Sequence, residues 1–261
     1  MTHRKRTSIL LVISFVLILV GSFFSNAINT DFGKIKTDRL YLMNDNGYTV
    51  SARIYIPKTA TQEAPAPAMI ICPGGDSPSD LLTPWASEIA RRGFVVALVD
   101  YTGCGDTEVD NASQYWTSHG AMELETIYDY LANRPFVDAT QIGVGGHSMG
   151  SLYSYCLSTK RQVSLVISDV IYSEALPTYN LDFVQISGQH DEGLLARVNK
   201  IDELFKDPFL TELFGTDEIE PNKLYGSWED HNARIFYVVN QTHADDMYWG
   251  QFVRLVVHGS T

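Results

Sequence analysis

The sequence predicts an α/β fold: a mostly parallel central sheet flanked by helices, preceded by a hydrophobic N-terminal helix. Three observations lead there. Short apolar runs, of the kind that suits strands buried on both faces, alternate with amphipathic helical stretches along most of the chain. Several of those runs end in glycine-rich turns, among them Pro73-Gly74-Gly75, Gly103-Cys104-Gly105 and Gly145-Gly146-His147-Ser148-Met149-Gly150. Near the start, Ile9 to Phe24 carries no charge and no polar face, so it cannot be the surface helix of a soluble body.

Taken in order, His3-Arg4-Lys5-Arg6 is a basic start to that apolar run. The segment is either a signal peptide or a single membrane anchor. Ser25-Asn26-Ala27 offers small residues to a signal peptidase, whereas the length of the run favours the anchor. In both cases the basic cluster stays cytoplasmic and the remainder lies outside. Residues 1–27 therefore read as anchor or signal and 28–261 as one folded domain. Ile28 to Lys36 reads as a linker. Leu40 to Met43 and Tyr48 to Ile56 read as a hairpin about Asn46-Gly47, because that dipeptide accepts the positive φ of a tight turn. Pro57 to Pro67 reads as a surface loop.

Ala68 to Cys72 and Phe94 to Asp100 are expected as buried strands, with a helix between them from Leu81 to Arg92 closed by Gly93. A helix is expected over Tyr115 to Asn133, a strand over Gln141 to Val144, and a helix from Ser151 to about Thr159. Strands follow at Val163–Asp169 and Leu181–Ser187, then a helix at Leu194–Phe205. Residues 207–232 are aromatic and acidic without clean periodicity, and read as an insertion, a cap beside the site. Ile235 to Val239 is the last strand, and a helix from Asp245 to Val257 closes the fold.

The chain has 261 residues and 45% hydrophobic content, enough for a sizeable core. Its net charge of −12 is the wrong sign for binding a phosphate backbone, which argues against a nucleic-acid partner. The three cysteines, Cys72, Cys104 and Cys156, form no disulfide framework and read as buried thiols. With the seven histidines they fit no zinc spacing, so no metal is expected.

The chemistry centres on Gly146-His147-Ser148-Met149-Gly150, a G-x-S-x-G between a strand and a helix. Alone the motif is weak, and a glycine-rich turn with a passive serine would read the same. Ser148 needs a base within hydrogen-bond reach, and the base needs an acid to hold its tautomer. Asp191 and His243 each follow a later strand, in the chain order nucleophile, acid, base. Asp169 also ends a strand and rivals Asp191. Oxyanion donors are expected from the N–H of Met149, at the start of a helix, and of Gly75. His190, Asp191, His243 and Asp245 could be imagined as a metal site, but no local spacing supports it.

These motifs resemble the α/β-hydrolase superfamily over nearly all of residues 40–261, most closely its dienelactone-hydrolase-like and acetylhydrolase-like esterases. Asp100-Tyr101-Thr102-Gly103-Cys104-Gly105-Asp106 is similar to a loop common there, with Thr102 where arginine is frequent. Cys72-Pro73-Gly74-Gly75 is similar to the His-Gly-Gly oxyanion segment, with Pro73 in place of histidine. Dienelactone hydrolases proper use a cysteine nucleophile, so serine here points to ordinary ester chemistry. The resemblance implies hydrolysis of a small acyl ester through an acyl-enzyme, without a cofactor. The alternatives are a serine peptidase or acyltransferase of the same fold, or a binding protein on its scaffold. Tyr101, Tyr115, Trp116, Tyr153, Tyr172 and the aromatic residues from Phe209 to Trp228 could line an acyl pocket, or equally be core.

Overall fold

The structure is a computed structural model that describes residues 3–75, 77–108, 120–169 and 179–245. It opens with a long helix, α1 (His3–Asn29), whose residues 5–26 are all exposed. Strand β1 (Ile35–Met43) pairs antiparallel with β2 (Thr49–Pro57). The expected linker, 28–36, holds the last two residues of the helix, a five-residue turn over 30–34 and the first two residues of β1, since α1 stays helical as far as Asn29 with a single glycine, Gly21, inside it. The hairpin turn falls where Asn46-Gly47 places it. Gly47 has φ +83°, and the Asn44 side chain accepts from the N–H of Asn46 and Tyr48.

Strands β3 (Ala66–Cys72), β4 (Val95–Val99), β5 (Val137–His147), β6 (Leu165–Asp169), β7 (Asp182–Gly188) and β9 (Arg234–Val239) form the parallel centre of the sheet. The two-residue β8 (Leu224–Tyr225) edges β9 antiparallel. Among the described residues the sheet has nine strands in the order β1-β2-β4-β3-β5-β6-β7-β9-β8.

Alternate side chains serve two cores, as a pleated strand requires. Ala68, Ile70 and Cys72 of β3 join Val95, Ala97 and Val99 of β4 on the face covered by helices α3 (Gly120–Ala132) and α4 (Met149–Lys160). Met69, Ile71, Val96 and Leu98 face the other way, against Trp85, Ala86 and Ile89 of helix α2 (Thr83–Arg91). A 3-10 turn at Ser79–Leu82 leads into α2, and Gly93 (φ +97°) follows it as expected. Cys72, Cys104 and Cys156 are free thiols, the first two buried.

One helix departs from expectation. Residues 194–205 divide into a short helix α5 (Glu192–Leu195) and a 3-10 turn (Ile201–Lys206). Asp191 caps the first from outside. Glu203 then accepts from the backbone and side chain of Asn199, a local bond that competes with helix continuation. Residues 207–232 hold a further helix, α6 (Pro208–Phe214), with Asp207 accepting from the N–H of Phe209 and Leu210 and Gly215 in the left-handed region. Phe214 packs on Phe183 at the start of β7 and on Tyr225, and Phe209 packs on Tyr155. The helix expected over 115–133 is seen from Gly120, its earlier part lying outside the described residues, as does 246–257 of the final helix.

Candidate active site

Three carboxyl ends of strands meet here. β5 ends at His147 and α4 begins at Met149, leaving Ser148 alone to reverse the chain. Its backbone has φ 53° and ψ −118°, a conformation costly for any residue with a Cβ. Neighbouring bonds hold it there. The Ser148 N–H donates to the Asp169 carbonyl (2.8 Å). The Ser151 hydroxyl lies between the carbonyls of Gly146 (2.6 Å) and Asp169 (2.7 Å) and accepts from the Asp169 N–H (2.8 Å). The two outer glycines are required by space. A Cβ on Gly150 would lie 2.1 Å from the Cys72 carbonyl oxygen, and one on Gly146 would lie 2.4 Å from the Gly150 carbonyl carbon.

Asp191 and His243 are brought together because β7 and β9 are neighbours in register, Gly188 opposite Val239. Past the strands the loops stay joined, with the Gln189 N–H on the Val239 carbonyl and the His190 N–H on that of Gln241. Asp191 is fully buried and serves both its oxygens. Oδ1 accepts from the Leu194 N–H (2.7 Å), capping α5, and Oδ2 accepts from His243 Nδ1 (2.9 Å). That bond sets the His243 tautomer, leaving Nε2 to accept from the Ser148 hydroxyl at 3.1 Å. The Glu192 carboxylate accepts from the His243 N–H (3.2 Å) and steadies the loop from outside. Asp169, the rival acid, meets the serine turn through its backbone.

Met149 is the first residue of α4, so its N–H has no acceptor within the helix. Gly75 lies beside it, with a Cβ on Gly75 reaching only the Met149 methyl at 4.0 Å. The turn carrying Gly75 is pinned by buried Tyr101, whose hydroxyl donates to the Gly74 carbonyl (2.7 Å) and whose ring meets Tyr153 edge-on. Burial pushes the Tyr101 phenol well above its ordinary range, so it remains a donor. Tyr101 and Tyr153 are therefore core residues; Tyr115, Trp116 and Tyr172 lie outside the described residues.

The sequence alone assigned no role to His147 beyond its place in the motif. Its Nε2 donates to the His243 carbonyl at 2.9 Å, and the two imidazoles lie 4.6 Å apart. A carbonyl can only accept, so the neutral ring carries its proton on Nε2 and leaves Nδ1 bare, buried without a partner among the described residues. Burial, then the neighbouring His243, lower the His147 pKa to about 4. His147 is thus a neutral strut between the turn that bears the serine and the loop that bears the histidine. The signal was present in the sequence as an aromatic, hydrogen-bonding residue beside the serine, but its partner is a backbone atom 96 residues away.

This architecture is the α/β-hydrolase fold, as the motif resemblance implies. Residues 83–164, which include the serine turn, match the sequence profile of the prolyl oligopeptidase family. No curated protein sequence matches the chain. Among solved structures, an esterase from Pyrococcus furiosus is similar with a TM-score of 0.62 at 10% identity, over 88% of this chain and 94% of that one. A dienelactone hydrolase-like promiscuous phosphotriesterase from metagenomic libraries gives 0.57 at 14% identity, over 81% and 84%. A prolyl endopeptidase gives 0.60 at 12% identity, over 87% of this chain and 38% of the endopeptidase.

Proposed function

We propose that the chain is a serine hydrolase that cleaves a small carboxylic ester through an acyl-enzyme. The observation that carries this reading is the hydrogen-bonded line from the Ser148 hydroxyl through His243 to buried Asp191. In this scheme Ser148 Oγ attacks the acyl carbonyl carbon as His243 Nε2 takes its proton. Asp191 holds the imidazole and stabilises it when charged. The N–H groups of Met149 and Gly75 receive the oxyanion, each such donor being worth about 3–4 kcal/mol in the barrier. The tetrahedral intermediate collapses, His243 returns the proton to the leaving alkoxide, and water enters by the same route to release the acid. No step calls on a cofactor.

The body is proposed to lie outside the cytoplasmic membrane, held by α1 or released if α1 is cleaved. A peptide bond is the second substrate reading. It is favoured by the match of residues 83–164 to the prolyl oligopeptidase family, and an acyltransferase would differ only in the acceptor that replaces water.

The test is hydrolysis of p-nitrophenyl acetate, butyrate and octanoate, with peptide p-nitroanilides alongside. Ester turnover is expected, with kcat/KM falling at least about 10³-fold in Ser148→Ala together with loss of fluorophosphonate labelling. Full activity in Ser148→Ala would end the scheme. Anilide cleavage without ester turnover would move the assignment to a peptidase.

A further inference from the structure

We propose that the catalytic mouth faces away from the membrane that α1 spans, so that its substrate is a water-borne ester and not an acyl lipid of the same bilayer. The proposal rests on the reading of Ser148 as nucleophile and of α1 as an anchor. Three features of the structure lead to it.

The first is the helix itself. Lys5–Asn29 is 25 residues long and apolar. At 1.5 Å per residue that is about 37 Å, enough to cross a hydrocarbon layer of about 30 Å. Residues 5–26 are all exposed, and Ala27 is the first buried side chain among the described residues.

The second is a root without slack. After Asn29 the chain turns through Asp31, Phe32 and Gly33 at φ 46°, 52° and 81°. The turn is closed by Phe32 N–H on the Ala27 carbonyl (2.6 Å) and Ile35 N–H on that of Thr30 (2.9 Å). The Arg91 guanidinium binds the Ile28 carbonyl, and Lys58 N–H binds that of Lys34 (2.9 Å). β1 begins at once, at Ile35. The body is therefore carried on the helix with no linker that would let it turn over.

The third is where the root sits. Ile35 pairs with Pro57, the end of β2 furthest from the site. Arg91 ends α2 just before β4 begins, again at the amino end of the parallel strands. Register gives the height. Arg53 lies level with Leu98, Leu98 with Ile71, and Ile71 with Gly145. Pro57 is four residues below that level and Ser148 three above it. At about 3.3 Å per residue, Ser148 stands about 23 Å above the root.

Charge points the same way. Lys34, Lys36, Lys58, Arg91 and Arg92 surround the root, met in part by Asp31, Asp38 and Glu88. The carboxyl end carries Asp80, Asp106, Glu192 and Asp245, against Arg39 and Arg53. On a chain of net charge −12, a cationic base suits anionic headgroups and an acidic rim is repelled by them.

The full chain in mixed phosphatidylcholine and phosphatidylglycerol vesicles tests this. In a Cys156→Ser background, a fluorophore is placed at the base by Lys36→Cys or at the site end by Asp106→Cys. Nitroxide-labelled phospholipid should quench the base label severalfold more than the site label, and aqueous iodide should quench the site label freely. Equal or reversed quenching by the lipid would overturn the orientation. In the same vesicles the unmodified chain should hydrolyse p-nitrophenyl butyrate and leave a fluorogenic phospholipid at its background rate. Phospholipid hydrolysis above background that Ser148→Ala abolishes would overturn the substrate assignment. Correct quenching with no fluorophosphonate labelling of Ser148 would instead remove the hydrolase reading and leave the orientation standing.

Discussion

The two ends of the central sheet are built on opposite terms. At the carboxyl end polar groups are buried and the backbone is held out of its ordinary conformations. Ser148 has positive φ, Asp191 is fully enclosed, and His147 is a neutral imidazole wedged between two loops. At the amino end Lys34 and Lys36 stand exposed in local ion pairs, Asp182 at the start of β7 is buried with the Ala233 N–H as its donor, and aromatic side chains from α6 and β8 pad the strands. The contrast teaches where the molecule tolerates change. Strain and buried charge persist only where surrounding bonds over-determine them, so the carboxyl end depends on many atoms at once. The amino end depends on local caps and contacts that act one at a time.

Gly150→Ala should break the contrast most severely. The added Cβ meets backbone of Cys72 and Pro73, which cannot rotate away. A loss of roughly 3 kcal/mol or more is expected in urea denaturation, with activity lost alongside. A Gly150→Ala protein of unchanged midpoint and turnover would show that the serine turn is far looser than described.

His147 supplies a pH-dependent test of the same end. Its folded pKa of about 4 lies below the ordinary value of 6.5, so the unfolded chain binds the extra proton between those values. The contribution is full above pH 6.5 and is lost as pH falls towards 4, reaching roughly 3 kcal/mol. Unfolding measured from pH 7 to 4 should therefore show a steeper loss in the wild type than in His147→Gln. Parallel curves would mean that His147 is not held neutral. If the strut also positions His243, His147→Gln should lower kcat with little effect on KM at pH 7.

The smallest effect is expected at the opposite end. Asp207→Ala removes the N-cap of α6 and should cost about 1 kcal/mol, with kcat unchanged. A fall in kcat there would tie residues 207–232 to the site.

Much of the site was legible because its residues follow strands. A parallel sheet brings the carboxyl ends of its strands to one edge, so Ser148, Asp191 and His243 could be gathered from three apolar runs. The helix at Pro208–Phe214 went unread although its marks were there: Asp207 before Pro208 at the start and Gly215 at the end. Periodicity is poor over seven residues, and the caps were the better signal. The division of 194–205 was hidden for the opposite reason. Leu194, Ile201 and Leu204 keep helical spacing, but Asn199 and Glu203 bond locally and interrupt it.

By itself the sequence determined the α/β alternation, the serine turn and the apolar first helix. Each follows from short-range rules: side-chain period, glycine at crowded positions, and a run without charge or a polar face. Tertiary structure alone decided that Asp191 rather than Asp169 meets His243, because strand neighbours are chosen by the whole sheet. It decided that His147 braces the base loop, a contact with a backbone carbonyl that no residue pattern encodes. It also decided at which end of the sheet α1 takes root, since that height is set by the register of β1 on β2 and of β2 on β4.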